Sequence, residues 1–382
     1  MSGSTNMDSR LIGIIGMAMR VLLICPLYGF LVICPAATSP APDSFIWLDV
    51  SIKVIVDPVT GNVPTTMSDA LLLGTFEDMN RWLANNWRGY RVRAVDLDAS
   101  RNFRRLGGLD DTTGPGKWYA TNLKDDSNHR MFEIEAKGSK QLYAWNDSAI
   151  NIYFNNGDYS SCGFPLQKRD LVQSAYGLFT DDRLPGQMFT QRYKAAGNLL
   201  HEIGHFFELY HTFDGDDGIA DTARDPNEPR RRNETAVRDA IATLNFSKNY
   251  SALSSFQKTL VDNTANNPMS YTQLFYDDPA QNKVLTDAER FGPVRFQFTE
   301  QQMDKWADFA NDARASVASG RMIFVLRGSG FPSTLAAGLN AARSSGHDIV
   351  LLRPGNYNER LTITKPVTLR ATRQGTVTIG RP

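Results

Sequence analysis

Residues 45–56 read FIWLDVSIKVIV, a run rich in β-branched and aromatic positions that alternates in part between apolar and polar, and so predicts a strand. From Ser68 to Asn86 the apolar positions Leu71, Leu72, Phe76, Met79 and Leu83 recur at helical spacing. Tyr90–Val95 and Ile150–Phe154 predict two further strands, and the Gly and Asp clusters between them predict long surface loops. Met188–Tyr210 is the longest helical segment before the C-terminal third. Near 298–310, Thr299 and Gln302 form a capping box ahead of an apolar stripe of Met303, Trp306, Ala307 and Ala310. Strand, helix and strand, followed by more strands and a long helix, give a mixed α/β (α+β) domain.

The two ends of the chain differ from this middle. Residues 11–37 are mostly apolar, with Arg20 followed by an uncharged run and then Pro35-Ala36-Ala37, the pattern of a secretory signal peptide. The alternative is an N-terminal membrane anchor, which would carry Arg20 and Pro26 in its span. Ser39-Pro40-Ala41-Pro42 is a stiff linker. Beyond Arg321 the pattern becomes a short Ala/Leu-rich helix at 333–345, then short strands at 348–357, 361–366, 367–370 and 377–380 with Pro and Gly between them, as in a solenoid. The domains expected are 1–42 (signal peptide or anchor plus linker), 43–320 and 321–382.

Composition narrows the function classes. Lys plus Arg and Asp plus Glu both total 41, so no net charge draws the chain to nucleic acid. Of three cysteines, Cys25 and Cys34 lie in the apolar N-terminal run, and a chain cut after it keeps Cys162 and has no internal disulfide. Such a fold stands on its core or on a metal.

The chemistry concentrates in His201-Glu202-Ile203-Gly204-His205. Residues four apart on a helix lie about 40° apart around the axis and one turn along it, so both imidazoles reach one ion from the same face. Neutral imidazole suits Zn²⁺, and an adjacent carboxylate that does not bind the metal handles protons. His211 follows closely. On a continuous helix it would lie about 15 Å along the axis from His201 and point about 80° away. The helix therefore ends between His205 and His211 if His211 is to supply a third nitrogen. The rival assignment takes Glu208 as third ligand.

The segment HEIGHFFELYHTFDG resembles the zinc-binding segment of metzincin metallopeptidases, and its LYHTF continuation is most similar to the pappalysin branch. Asn266-Asn267-Pro268-Met269-Ser270-Tyr271 resembles the methionine turn that lies beneath the metal in that family. The resemblance covers 44–318. It implies one catalytic Zn²⁺ on His201, His205 and His211, with Glu202 as general base and acid, Met269 as hydrophobic base, and Tyr271 near the metal as a donor. It also implies an N-terminal subdomain with a twisted mixed sheet and a mostly irregular C-terminal subdomain ending in a helix. The chain departs from the family at Glu208, where glycine normally lets the backbone leave the helix. A left-handed non-glycine residue costs about 1–2 kcal/mol.

Asp214, Asp216, Asp217 and Asp221 make an acidic loop that can be weighed for Ca²⁺, but they match no calcium-loop spacing. Residues 321–382 resemble the opening coils of pectate-lyase-like right-handed β-helices. The expectation is a secreted zinc endopeptidase acting on polypeptide, with polysaccharide or cell-surface contact through those coils. The alternative is an exported adhesion or carbohydrate-binding protein with a structural or inactive metal site. No candidate ligand or proton donor lies beyond Tyr271, so if residues 321–382 are only the start of a larger solenoid a chain ending near Ala318 is expected to keep the chemistry; the alternative is that this segment packs on the preceding domain.

Overall fold

A computed structural model describes residues 44–380 apart from 64–66, 87, 111, 124, 158–169, 176–187, 215–216, 227–233, 271–284, 293–296, 326–331 and 373–375. Strand β1, Ile46–Ile55, lies centrally in its sheet. Ile46, Leu48, Val50, Ile52 and Val54 form one buried face of it, as the alternation requires. It pairs in parallel with β2 (Tyr90–Val95), β4 (Ile150–Asn155) and, near its C-terminal end, β3 (Arg104–Leu106). β4 pairs in parallel with β5 (Leu171–Ala175), giving the order β2-β1-β4-β5. The expectation was a mixed sheet, whereas every ladder among the described strands of this sheet is parallel. Parallel neighbours require crossovers, and α1 (Asp69–Ala84) supplies the one between β1 and β2.

A parallel sheet is covered on both faces, and two apolar clusters do this here. Leu72, Phe76, Met79 and Leu83 of α1 share the main core with Leu199, Leu200 and Ile203 of α3 (Met188–Phe206). On the other side Ile55 and Tyr153 pack with Trp118, Phe132, Ala136 and Tyr143. Phe132 sets its edge against Trp118, Tyr143 and Tyr153 at centroid distances of 5.3, 5.5 and 4.9 Å. Phe132 belongs to α2 (Asp126–Gly138), a helix inside the stretch expected to be loops; Asp125 caps it by accepting from Ser127 N and Asn128 N.

One charge lies inside this second layer. Lys53 of β1 is 0% exposed and its Nζ donates to Asn151 Oδ1 at 2.5 Å and to Ser51 O at 3.3 Å. Burial drives its pKa down to about 7, against the opposing pull of Asp96. The unfolded chain holds that proton up to the ordinary lysine range, so between about pH 7 and 10 it binds more protons than the folded one. Stability is therefore expected to rise with pH across that window and to carry the full penalty below it. Lys53→Met should raise the melting temperature at neutral pH and flatten its rise from pH 7 to 10. A steeper rise in the variant would contradict the assignment.

C-terminal to the site helix, α4 (Glu234–Phe246) and α5 (Ser255–Ala265) share a small core of Val237, Ile241, Ala242, Val261 and Ala265. After the short α6 (Asp287–Arg290) comes α7 (Glu300–Asn311), whose capping box of Thr299 and Gln302 is formed and whose stripe of Met303, Trp306, Ala307 and Ala310 is buried, as expected. Residues beyond 321 form β6 (Met322–Val325), α8 (Leu335–Ala341), β7 (Asp348–Leu352), β8 (Gly355–Tyr357), β9 (Val367–Ala371) and β10 (Val377–Ile379). β6, β7 and β9 stack in parallel, as do β8 and β10. The expected strand at 361–366 is absent; that stretch is largely exposed and holds Pro366, which has no amide to donate.

The C-terminal strands do not stand apart. Met322, Phe324, Ile349 and Leu351 enter the main core beside Ile46, Tyr90 and Trp306. Trp47 N donates to Ser319 Oγ at 2.8 Å, Arg88 reaches Thr372 O at 3.3 Å and Arg370 reaches Ser44 O at 2.7 Å. This packing favours the alternative in which the C-terminal segment covers the core of the preceding domain. No helix among the described residues is long and apolar enough to cross a membrane. The N-terminal run read as signal peptide or anchor lies outside the described residues.

Candidate metal centre

His201 and His205 project from the last two turns of α3, on the buried side of the helix. The helix then stops within one residue pair. Glu208 N donates to His205 O at 2.9 Å and Leu209 N donates back to Gly204 O at 3.0 Å, the paired bonds that close a helix through a left-handed residue. That residue is Glu208, at φ 63°. Arg314 Nε adds a bond to the helix-end carbonyl of Phe206 at 3.2 Å. The break leads the chain round so that His211 meets the two helical histidines. The side chain of Glu208 is buried too, but it is not a member of the converging cluster.

Each imidazole is held through Nδ1. His201 Nδ1 lies 2.8 Å from Pro268 O, and His205 Nδ1 lies 2.7 Å from Leu209 O. His211 Nδ1 lies 2.9 Å from Asp214 Oδ2. A carbonyl oxygen only accepts, so the ring proton of the first two sits on Nδ1, and the carboxylate places that of the third likewise. Nε2 of each ring then carries a lone pair. His205 Nε2 is 3.1 Å from His201 Nε2 and 3.0 Å from His211 Nε2.

Nothing protonates these nitrogens at neutral pH. Burial drives His201 down to about 3 and His211 down to about 4, and His205 is depressed well below the ordinary range by burial and by its two neighbours. Three lone pairs thus converge within 4.8 Å of one another, that of His205 within 3.1 Å of each of the other two. Such a donor set fits a cation that accepts neutral imidazole nitrogen. Among the described residues, this is the one group of three or more His, Cys, Asp or Glu whose ligand atoms converge.

The floor of the site is built as tightly. Met269 is 0% exposed, and a Cβ added to Gly204 would meet its Sδ at 2.6 Å, so the helix and the 267–270 turn are in contact where the helix has no side chain. The turn is pinned by Met269 N to Asn267 Oδ1 at 2.9 Å and by Asn267 Nδ2 to Gln302 Oε1 of α7 at 2.7 Å. Its carbonyls face the site: Pro268 O holds His201, and Met269 O accepts from Thr212 N at 3.2 Å. Glu202, next to His201, is 5% exposed. Tyr271, expected near the metal, lies outside the described residues, as does Asp216.

Among the described residues of the acidic loop weighed for Ca²⁺, Asp214, Asp217 and Asp221 each accept from protein donors, while Asp221 Oδ1 is buried with no hydrogen-bond partner. Asp214 holds His211, Asp217 accepts from Ile219 N at 2.9 Å and Thr222 Oγ1 at 3.0 Å, and Asp221 accepts from Gln301 N at 3.1 Å. Asp214 carried a sequence signal only as one acid among several. The carbonyls of Pro268 and Leu209 carried none, since any residue supplies a carbonyl.

The geometry at Glu208 makes a testable difference. A glycine there would carry no left-handed penalty, which is about 1–2 kcal/mol for other residues. Glu208→Gly is therefore expected to keep zinc content and melting temperature at or above those of the parent, read by elemental analysis after gel filtration and by thermal melts. Loss of the metal would favour Glu208 as a ligand.

No protein-family description matches the chain. Among solved structures, it resembles a promirolysin mutant from Tannerella forsythia at 18% identity and a TM-score of 0.36, covering 71% of this chain and 87% of that one. It also resembles archaemetzincin from Methanopyrus kandleri at 12% identity and a TM-score of 0.24, covering 43% and 76% of the two chains. At these scores the likeness carries no argument about the fold. Over 209 residues, 53% of its length, the chain is 23% identical to an extracellular metalloprotease of Trichophyton verrucosum (strain HKI 0517), and the match spans 65% of that relative.

Proposed function

We propose that the chain is a secreted zinc-dependent endopeptidase of metzincin type, nearest the pappalysin branch. The observation that carries this reading is the trio of Nε2 lone pairs, each fixed by an acceptor at Nδ1 and kept neutral by burial. His201, His205 and His211 are the residues that would hold the ion. When bound, Zn²⁺ supplies a Lewis acid that polarises the scissile carbonyl and acidifies water.

The chain's own residues do the rest. Glu202 takes the proton of the attacking water on its carboxylate and returns it to the leaving nitrogen. Met269 supports the helix at Gly204, so the rings keep their register during turnover. Tyr271 is assigned as a donor to the oxyanion, on the motif alone. The sequence likeness to a fungal extracellular metalloprotease supports both the reaction class and export. In the same reading, residues 321–382 are coils of the right-handed β-helix kind, for which the in-register parallel stacking of β7 and β8 on β9 and β10 is the support.

The test is direct. Purified protein is expected to contain one zinc by elemental analysis and to cleave casein or gelatin near neutral pH. A chelator should abolish cleavage and lower the melting temperature, because an ion bound only by the folded state stabilises it. Protein free of zinc after refolding in its presence would overturn the proposal.

A further inference from the structure

Two of the three ring anchors are main-chain carbonyls, Pro268 O and Leu209 O, and are the same whatever side chains those residues carry. The third is a side chain. Asp214 Oδ2 takes both the backbone N–H of His211 at 3.2 Å and its Nδ1–H at 2.9 Å, while Asp214 N donates to His211 O at 3.2 Å. Residues 211–214 thus form a closed four-residue loop, in which one carboxylate sets both where the backbone of His211 lies and how its ring turns. His211 needs this more than its partners do. They stand on a helix, whereas His211 follows a left-handed break and has no helical hydrogen bonds to hold it. Its ring also stacks on Phe213 at 4.4 Å and 12°, so the loop clamps it by face as well as by edge.

Resting on the zinc-peptidase reading above, we propose that Asp214 is the positioning residue of this centre. It orients His211 for the metal, and its charge makes that imidazole a stronger donor than the two anchored by carbonyls. A carboxylate behind a ligating imidazole fixes the ring and raises its basicity, and losing such a partner typically weakens metal binding about 10- to 100-fold. Asp214 contacts His211 but is not among the residues whose ligand atoms converge, so it acts on the metal through His211.

The experiment is zinc affinity by competition with a chromophoric chelator, for the full chain and for Asp214→Asn and Asp214→Ala, with the melting temperature of each metal-free form measured alongside. Asp214→Ala is expected to bind zinc about 10- to 100-fold more weakly. Asp214→Asn, which keeps an accepting oxygen but no charge, should fall between the two, and the metal-free melting temperatures should stay together. Loading with Co²⁺ adds a second reading: the visible spectrum should shift in both variants, since it reports the donor strength of His211. Equal zinc affinity in all three proteins would overturn the role of Asp214 while leaving the metal centre standing. Failure of the parent protein itself to bind zinc would overturn the centre and this role together. If the alanine variant fails to fold, the near-isosteric asparagine decides alone: parent-like affinity and spectrum refute the proposal, and weakened binding at an unchanged metal-free melting temperature sustains it.

Discussion

Replacing Glu202 with alanine is expected to cut peptide hydrolysis by roughly 10²- to 10⁴-fold, the range a positioned general acid–base group supplies, while zinc content stays at one per chain. The two readouts separate because Glu202 is buried beside the rings but is not a member of the cluster whose ligand atoms converge. His205→Ala should do the opposite, losing zinc and activity together, since His205 Nε2 lies within 3.1 Å of both other nitrogens and its loss leaves them without a common partner. Elemental analysis and casein digestion on the two variants give four numbers. Equal loss of zinc in both would show that the carboxylate belongs to the ligand set.

The second large effect concerns the C-terminal strands. A chain ended at Ala318 removes Met322, Phe324, Ile349 and Leu351 from the main core. At about 1.5–3 kcal/mol for each large apolar side chain taken out of water, their loss matches the whole stability of an ordinary domain, about 5–15 kcal/mol. The truncated chain is therefore expected in the insoluble fraction, or as aggregate in gel filtration, even though every proposed catalytic group is still present. A soluble truncated monomer that melts at the parent's temperature would show that these strands are an appendage.

Much of this architecture was legible in the residues. The pattern at 45–56 gave β1 within a residue at each end, Tyr90–Val95 matches β2, and the capping box at Thr299 is formed as read. The helix break before His211 followed from arithmetic on three histidines, and the left-handed residue lies at Glu208, the departure from the family pattern. What escaped did so for identifiable reasons. Helix α2 spends buried positions on His129 and Glu133, so its apolar stripe is thin and its Asp-rich start reads as a turn. Helices α4 and α5 bury only a small satellite core, again leaving a faint stripe. The burial of Lys53 has no signal in its own strand, because the layer that covers it is assembled mostly from residues 106–153, far away in sequence. The clamp on His211 needed coordinates, since an acidic loop has the same composition whether it binds an ion, solvent or an imidazole.

Bonds that tie the beginning of the described fold to its C-terminal part join residues 272 and 326 positions apart, from Trp47 to Ser319 and from Ser44 to Arg370. Contacts of such separation are paid in loop-closure entropy before they return any stability, and chains built on them fold slowly. During synthesis the N-terminal strands emerge first and must wait for Ile349 and Leu351 before their core closes. The three histidines and Glu202 will thus have left the ribosome well before the scaffold that aligns them exists. Synthesis completes the residues of the site before the core that packs behind them, so the folding of the site waits on strands β6 and β7.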